Sequence, residues 1–126
     1  MPETIDFGSL SLRFLRDRHD TGGSLDLFEM TLQPEGRMLV PHYHEGWEET
    51  VYGLSGTATF TVGGETRELA PGETLFIPRG VVHGFQNRSG AVAKCLCVLT
   101  PGVLGPEYFR ELAALLRQGP PDPAKA

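Results

Sequence analysis

Two of the four histidines in the chain, His42 and His44, stand one residue apart. On an extended segment residues two apart face the same side, so these imidazoles share a face with Met38 and Val40. Imidazoles among apolar side chains need partners for their nitrogens. A pair held so closely suits a shared transition metal, for which neutral imidazole is the commonest ligand. A carboxylate on the following strand could supply a third ligand, and His83, after a proline–glycine turn, a fourth. The remaining histidine, His19, lies in the acidic stretch RDRHDTGG and reads as a surface residue.

The elements that must position these groups are strands. Sixteen glycines and ten prolines break the chain at short intervals, and short strands with turn signals between them point to a sandwich or barrel. In SLDLFEMTLQP, Leu25 and Leu27 give way to an even-phase set of Phe28, Met30 and Leu32, and Pro34 closes the run. TATFTV places Ala58, Phe60 and Val62 on one face and threonines on the other. Gly63–Gly64 is a two-residue hairpin signal with ETRELA as the returning strand. PGE at 71 to 73 makes another turn, and TLFIP reads as a short buried strand before PRGVVHGFQN and AVAKCLCVLTP.

Only the C-terminal region looks helical. Pro106 stands near a helix start, acids occupy the first turn, Arg117 the last, and Gly119 follows. The expected helix spans about 106–117, with Tyr108 or Phe109, Leu112, Leu115 and Leu116 as the apolar stripe that docks on the barrel. Residues 120–126, PDPAKA with the proline before it, read as a disordered tail, leaving 1–119 as one domain.

Composition narrows the function classes. A net charge of -5 and a pI near 5.3, without any basic run, speak against a nucleic-acid or anionic-membrane partner. No apolar run approaches the ~20 residues that span a bilayer, and MPETIDFGSL has neither the basic nor the apolar region of a secretion signal, so a cytoplasmic location is expected. Cys95 and Cys97, two apart in an apolar run, share a strand face too closely spaced for an unstrained disulfide. They read as buried reduced thiols that act as small hydrophobes.

The chain resembles the cupin superfamily through two complete motifs. GRMLVPHYHEGWEETVYGLSG, Gly36 to Gly56, fills G-x5-H-x-H-x3,4-E-x6-G, and GETLFIPRGVVHGFQN, Gly72 to Asn87, fills G-x5-P-x-G-x2-H-x3-N. The resemblance implies an all-β fold, the cupin double-stranded β-helix or jelly-roll barrel, here with a short C-terminal α-helix. It also implies His42, His44, Glu49 and His83 as ligands of one divalent transition metal. Glu48 fits the shorter motif spacing, but only Glu49 has Gly56 at the x6 distance, and strand alternation puts Glu48 on the opposite face. Glu48 is then a neighbour of the ligand sphere or a solvated residue. Gly56, Gly72 and Gly80 suit turn geometries that side chains disfavour, and Asn87 suits a turn cap.

Three imidazoles and a carboxylate on an octahedral metal leave up to two positions for substrate and a small second ligand. Mixed nitrogen and oxygen donors suit Mn, Fe, Co, Ni, Cu or Zn rather than Mg or Ca. Met38, Val40, Val51, Phe60 and Phe85 are the candidate apolar walls of the pocket. Trp47 and Tyr43 are expected near its mouth and Arg79 could pair with a substrate carboxylate, though packing for Trp47 and a solvated charge for Arg79 fit equally well; Tyr52 is out of phase with Glu49 and expected on the other sheet surface or at a subunit interface. The resemblance implies a small-molecule metalloenzyme of dioxygenase-like oxidoreductase type, of the quercetinase-like bacterial kind. The alternatives are a non-catalytic metal-bearing binding or sensing protein, or an isomerase or decarboxylase. It further implies a homodimer formed by sheet packing.

Overall fold

The computed structural model describes residues 3–36 and 45–117. Among the described residues nine strands precede one helix: β1 Glu3–Asp6, β2 Leu10–Arg16, β3 Asp26–Leu32, β4 Glu48–Ser55, β5 Ala58–Val62, β6 Glu65–Leu69, β7 Thr74–Ile77, β8 His83–Gln86, β9 Ala93–Thr100 and α1 Gly105–Arg117. They form two sheets, six strands in the order β1-β2-β3-β9-β4-β7 and three in the order β6-β5-β8. Every pairing is antiparallel. This is the jelly-roll architecture that the motifs imply.

Alternation along the strands builds the core. In β3, Asp26, Phe28, Met30 and Leu32 are buried while the residues between them are half-exposed. Register carries that face across the large sheet: Phe28 opposes Cys97, Cys97 opposes Val51, and Val51 opposes Leu75. Paired residues point the same way, so these four form one inward row. Both cysteines are free and buried. Burial pushes the Cys95 thiol up to about 11 and the Cys97 thiol well above its usual range, the Glu49 charge adding to both. They are thiols held protonated, as small core residues should be.

The small sheet supplies the opposing wall. Phe60 of β5 is buried and pairs in register with Phe85 of β8, their ring centroids 5.6 Å apart. Thr59, expected on the outer side with the other threonines, is buried as well. Gly63 and Gly64 take φ of 58° and 85°, the left-handed values of a hairpin turn between β5 and β6. Gly56 has φ 64°, and a side chain there would meet the Val92 carbonyl at 2.3 Å. Only glycine fits that position.

Two expectations need correction. TLFIP is not a wholly buried strand: β7 is the edge of the large sheet, and Phe76 is 55% exposed while Leu75 and Ile77 face inward. The helix begins near the expected residue, but its buried face is Pro106, Phe109, Leu112 and Ala113. Phe109 packs on Phe14 and Phe28 at 5.8 and 5.6 Å, whereas Tyr108, Leu115 and Leu116 are exposed. The cause is geometric: the helix docks through the three-ring cluster at its N-terminal half, and that rotation turns Tyr108 and Leu115 to solvent. Strands β1 and β2 had no reading from their short, polar-rich sequences. The proposed tail lies outside the described residues.

Candidate metal centre

Glu49 stands in an inward row of its own. It opposes Leu99 on one side and Ile77 on the other, both buried, and Leu99 in turn opposes Asp26. Glu49 therefore shares the phase of Val51, which is fully buried, and Glu48 takes the other phase beside Thr100. Burial pushes the Glu49 carboxyl from the ordinary carboxylate range to about 7, because the apolar interior disfavours its charge. A cation at this carboxylate would offset that cost.

His83 reaches the interior from the small sheet. It opens β8 opposite Val62 and is 2% exposed. Its Nδ1 lies 3.1 Å from the Val81 carbonyl oxygen. A carbonyl only accepts, so Nδ1 carries the proton in this contact, and Nε2 is the nitrogen a neutral ring would offer to a metal. Such a backbone bond on one nitrogen is how metal-binding imidazoles are oriented. The turn that delivers His83 contains Gly80 at φ 76°, and Gly63 N–H donates to the Val82 carbonyl at 2.9 Å, tying that turn to the small sheet's hairpin.

Two of the four expected ligands are thus presented from opposite sheets toward one interior, as an imidazole nitrogen and a carboxylate. That donor chemistry fits a divalent transition metal. His42 and His44 lie outside the described residues, as do Met38, Val40 and Tyr43. Among the described residues, no three His, Cys, Asp or Glu side chains converge as a metal-holding group. Completing the set depends on the segment that carries His42 and His44.

The other candidate residues divide by position. Val51 and Phe60 are core residues, Phe85 is half-buried against Phe60, and Trp47 is half-buried against the core at the entry to β4. Tyr52 lies on the outer face, as its phase requires. Arg79 has a partner within the protein: its Nε donates to Glu48 Oε2, and Nη2 lies 3.4 Å from Oε1. That pairing is what sequence reading missed, having left Arg79 between a substrate carboxylate and solvent and Glu48 undecided. His19 is on the surface as expected, with Nε2 2.9 Å from Glu107 Oε1.

Asn87 does more than cap one turn. Its buried amide nitrogen donates to the carbonyls of Leu32, Gln33 and Ala91 at 3.1, 3.3 and 2.6 Å, and its oxygen accepts from Ser89 N–H and O–H. Its own backbone N–H donates to Gly36 at 2.7 Å, and its carbonyl accepts from Glu35 at 3.1 Å. The end of β8 is thereby fastened to residues 32–36, which lead into the stretch with His42 and His44.

A carboxylate that sequence reading passed over lies in the same row as Glu49. Asp26 is fully buried, and its oxygens accept from the backbone N–H groups of Arg18 at 2.9 Å and Gly105 at 3.1 Å. Gly105 opens α1, so Asp26 caps that helix from a distant strand. The signal was present in the sequence, since Asp26 keeps phase with Phe28, Met30 and Leu32.

The cupin domain family matches residues 28–99. The chain is 39% identical over 79 residues to quercetin 2,3-dioxygenase of Bacillus subtilis strain 168, a match that takes in 63% of this chain and 23% of that enzyme. It is similar to the structure of a sugar phosphate isomerase of the cupin superfamily from Silicibacter pomeroyi, at 27% identity and a TM-score of 0.63, covering 73% of this chain and 59% of that one. A predicted oxalate decarboxylase from Thermotoga maritima shares the fold with a TM-score of 0.71 at 23% identity, covering 80% of this chain and 92% of that one. The chain therefore spans under a quarter of the dioxygenase's length.

Proposed function

Since the chain belongs to the cupin domain family, we propose that it binds one divalent transition metal through His42, His44, Glu49 and His83 and acts as a small-molecule metalloenzyme of dioxygenase-like oxidoreductase type. The observation that carries this reading is the pair of inward donors on opposite sheets, Glu49 at a desolvated position and His83 with Nδ1 engaged by the Val81 carbonyl. When bound, the metal supplies Lewis acidity and coordination positions for exchangeable ligands. The protein's own part is to hold the donors and keep water out. His83 is fixed in tautomer and orientation by its backbone bond, and the Phe60–Phe85 pair packs an apolar wall on the same strand face as His83.

The similarity to a dioxygenase over 79 residues favours oxidative chemistry on a planar or enolic substrate. The similarity to a sugar phosphate isomerase supports a second reading, proton transfer on a metal-held hydroxycarbonyl compound. The experiment is elemental analysis followed by oxygen uptake with flavonols and other enolic aromatics on Fe-, Mn- and Ni-loaded protein. About one metal per chain is expected, lost in the His42→Ala/His44→Ala variant; metal retained at full stoichiometry in that variant overturns the ligand assignment. Loaded protein that takes up no oxygen moves the function to isomerisation, decarboxylation or binding without turnover.

The same reading includes a homodimer through the outer face of the large sheet, supported by the outward Tyr52 and Phe76 on neighbouring strands. Light scattering should return twice the chain mass; a strictly monomeric mass at high concentration would exclude it.

A further inference from the structure

The β4–β7 ladder runs from Tyr52 opposite Thr74 to Glu49 opposite Ile77. One step further the pairing ends, with Pro78 opposite Glu48. At that point the connection passes to side chains. Arg79 donates through Nε to Glu48 Oε2, with Nη2 on the Oε1 side at 3.4 Å, the two-pronged fit that a guanidinium makes to a carboxylate. Glu48 is the residue before Glu49, and Arg79 begins the turn that crosses between the sheets and delivers His83. We propose that Arg79 and Glu48 form a positioning pair that sets the spacing between the Glu49-bearing strand and the His83-bearing turn, and so tunes metal affinity.

This inference rests on Glu49 and His83 being metal ligands. The turn is fastened on its far side by Gly63 N–H to the Val82 carbonyl, and His83 is fastened within it to Val81. The Arg79–Glu48 pair fastens it on the Glu49 side. Metal ligation tolerates errors of only about 0.2 Å in donor distance, so a small drift of the turn is felt at the metal. The pair itself is partly solvated, with side-chain exposures of 47% and 29%, and adds little to folding stability. Affinity and stability should therefore respond differently to its loss.

The test uses Co(II), whose visible bands report coordination, with affinity measured by competition against a chromogenic chelator. Arg79→Ala and Glu48→Ala should each weaken Co(II) binding about tenfold, in the lower part of the range seen when groups outside the ligand sphere are removed. The double variant should be no weaker than either single one, because the two residues act as a unit. Arg79→Lys should recover only part of the affinity, since an ammonium lacks the fork. Thermal midpoints of the metal-free variants should stay close to that of the parent protein, which separates a shifted site from a damaged fold. Wild-type affinity in either single variant, additive losses, or a fall in affinity that follows a fall in thermal midpoint would overturn the pair. Failure of the parent protein itself to bind Co(II) would instead overturn the metal-site reading on which the pair rests.

Discussion

Asp26 and Glu49 flank the same residue, Leu99, on the inward face of one sheet, yet their surroundings are opposite. Asp26 has each oxygen on a backbone N–H, one from the β2–β3 loop and one from the first residue of α1. Glu49 sits where burial drives its carboxyl up to about 7. Two acids on either side of β9 thus have different surroundings. The first is satisfied by the fold and secures the helix, while the second is kept costly to ionise and is suited to a cation. Burial alone does not mark a functional acid: Asp26 is the more buried of the two, and its oxygens hold the fold together.

Removing each acid separates the two roles. Asp26→Ala leaves two buried N–H groups without their carboxylate, and hydrogen bonds to a charged group are worth roughly 1.5–3 kcal/mol each. A loss of about 3 kcal/mol is expected, read as a drop on the order of 10 °C in the thermal midpoint, with metal content per folded chain unchanged. A loss of metal in folded Asp26→Ala protein would show that the two ends of the row are not independent.

The smaller effect is on pH dependence in chelator-treated protein. Glu49 is raised in the folded state, so between its unfolded value of 4.5 and about 7 the folded chain holds a proton that the unfolded chain has released. Stability should accordingly be fully present below the lower value and fall as pH rises through about 7. One pKa unit corresponds to about 1.4 kcal/mol, and partial exposure reduces the total, giving a decline of roughly 2 kcal/mol between pH 4.5 and 8. Glu49→Gln should remove that decline and abolish metal binding. Denaturant melts across this range decide it, and an unchanged slope in Glu49→Gln would place the titration elsewhere.

The same contrast explains what could be read from sequence. Alternation in TATFTV and the Gly63–Gly64 turn are local, and the strands and hairpin follow from them. The motif spacing singled out Glu49 over Glu48, and the structure sets the two on opposite faces of β4. Asp26 was legible as an acid in an apolar phase, but its partners lie at Arg18 and Gly105, too distant in sequence for any local pattern to supply. Arg79 and Glu48 are separated by 31 residues, and only the end of the β4–β7 ladder at Pro78 brings them together. The helix stripe was misread for a related reason. Spacing defines which residues share a helical face, but Phe14 and Phe28 decide which face is covered.

Asn87 has a dynamic consequence. Because one buried amide holds Leu32, Gln33 and Ala91, and its backbone is paired with Glu35 and Gly36, none of these strands can fray alone. Their opening is a single event with one free energy, and the amide protons of Glu35, Asn87 and Ser89 should exchange with solvent at a common rate. β8 begins at His83 and ends at this junction. The strand that carries His83 therefore opens together with the end of β3 and residues 33–36.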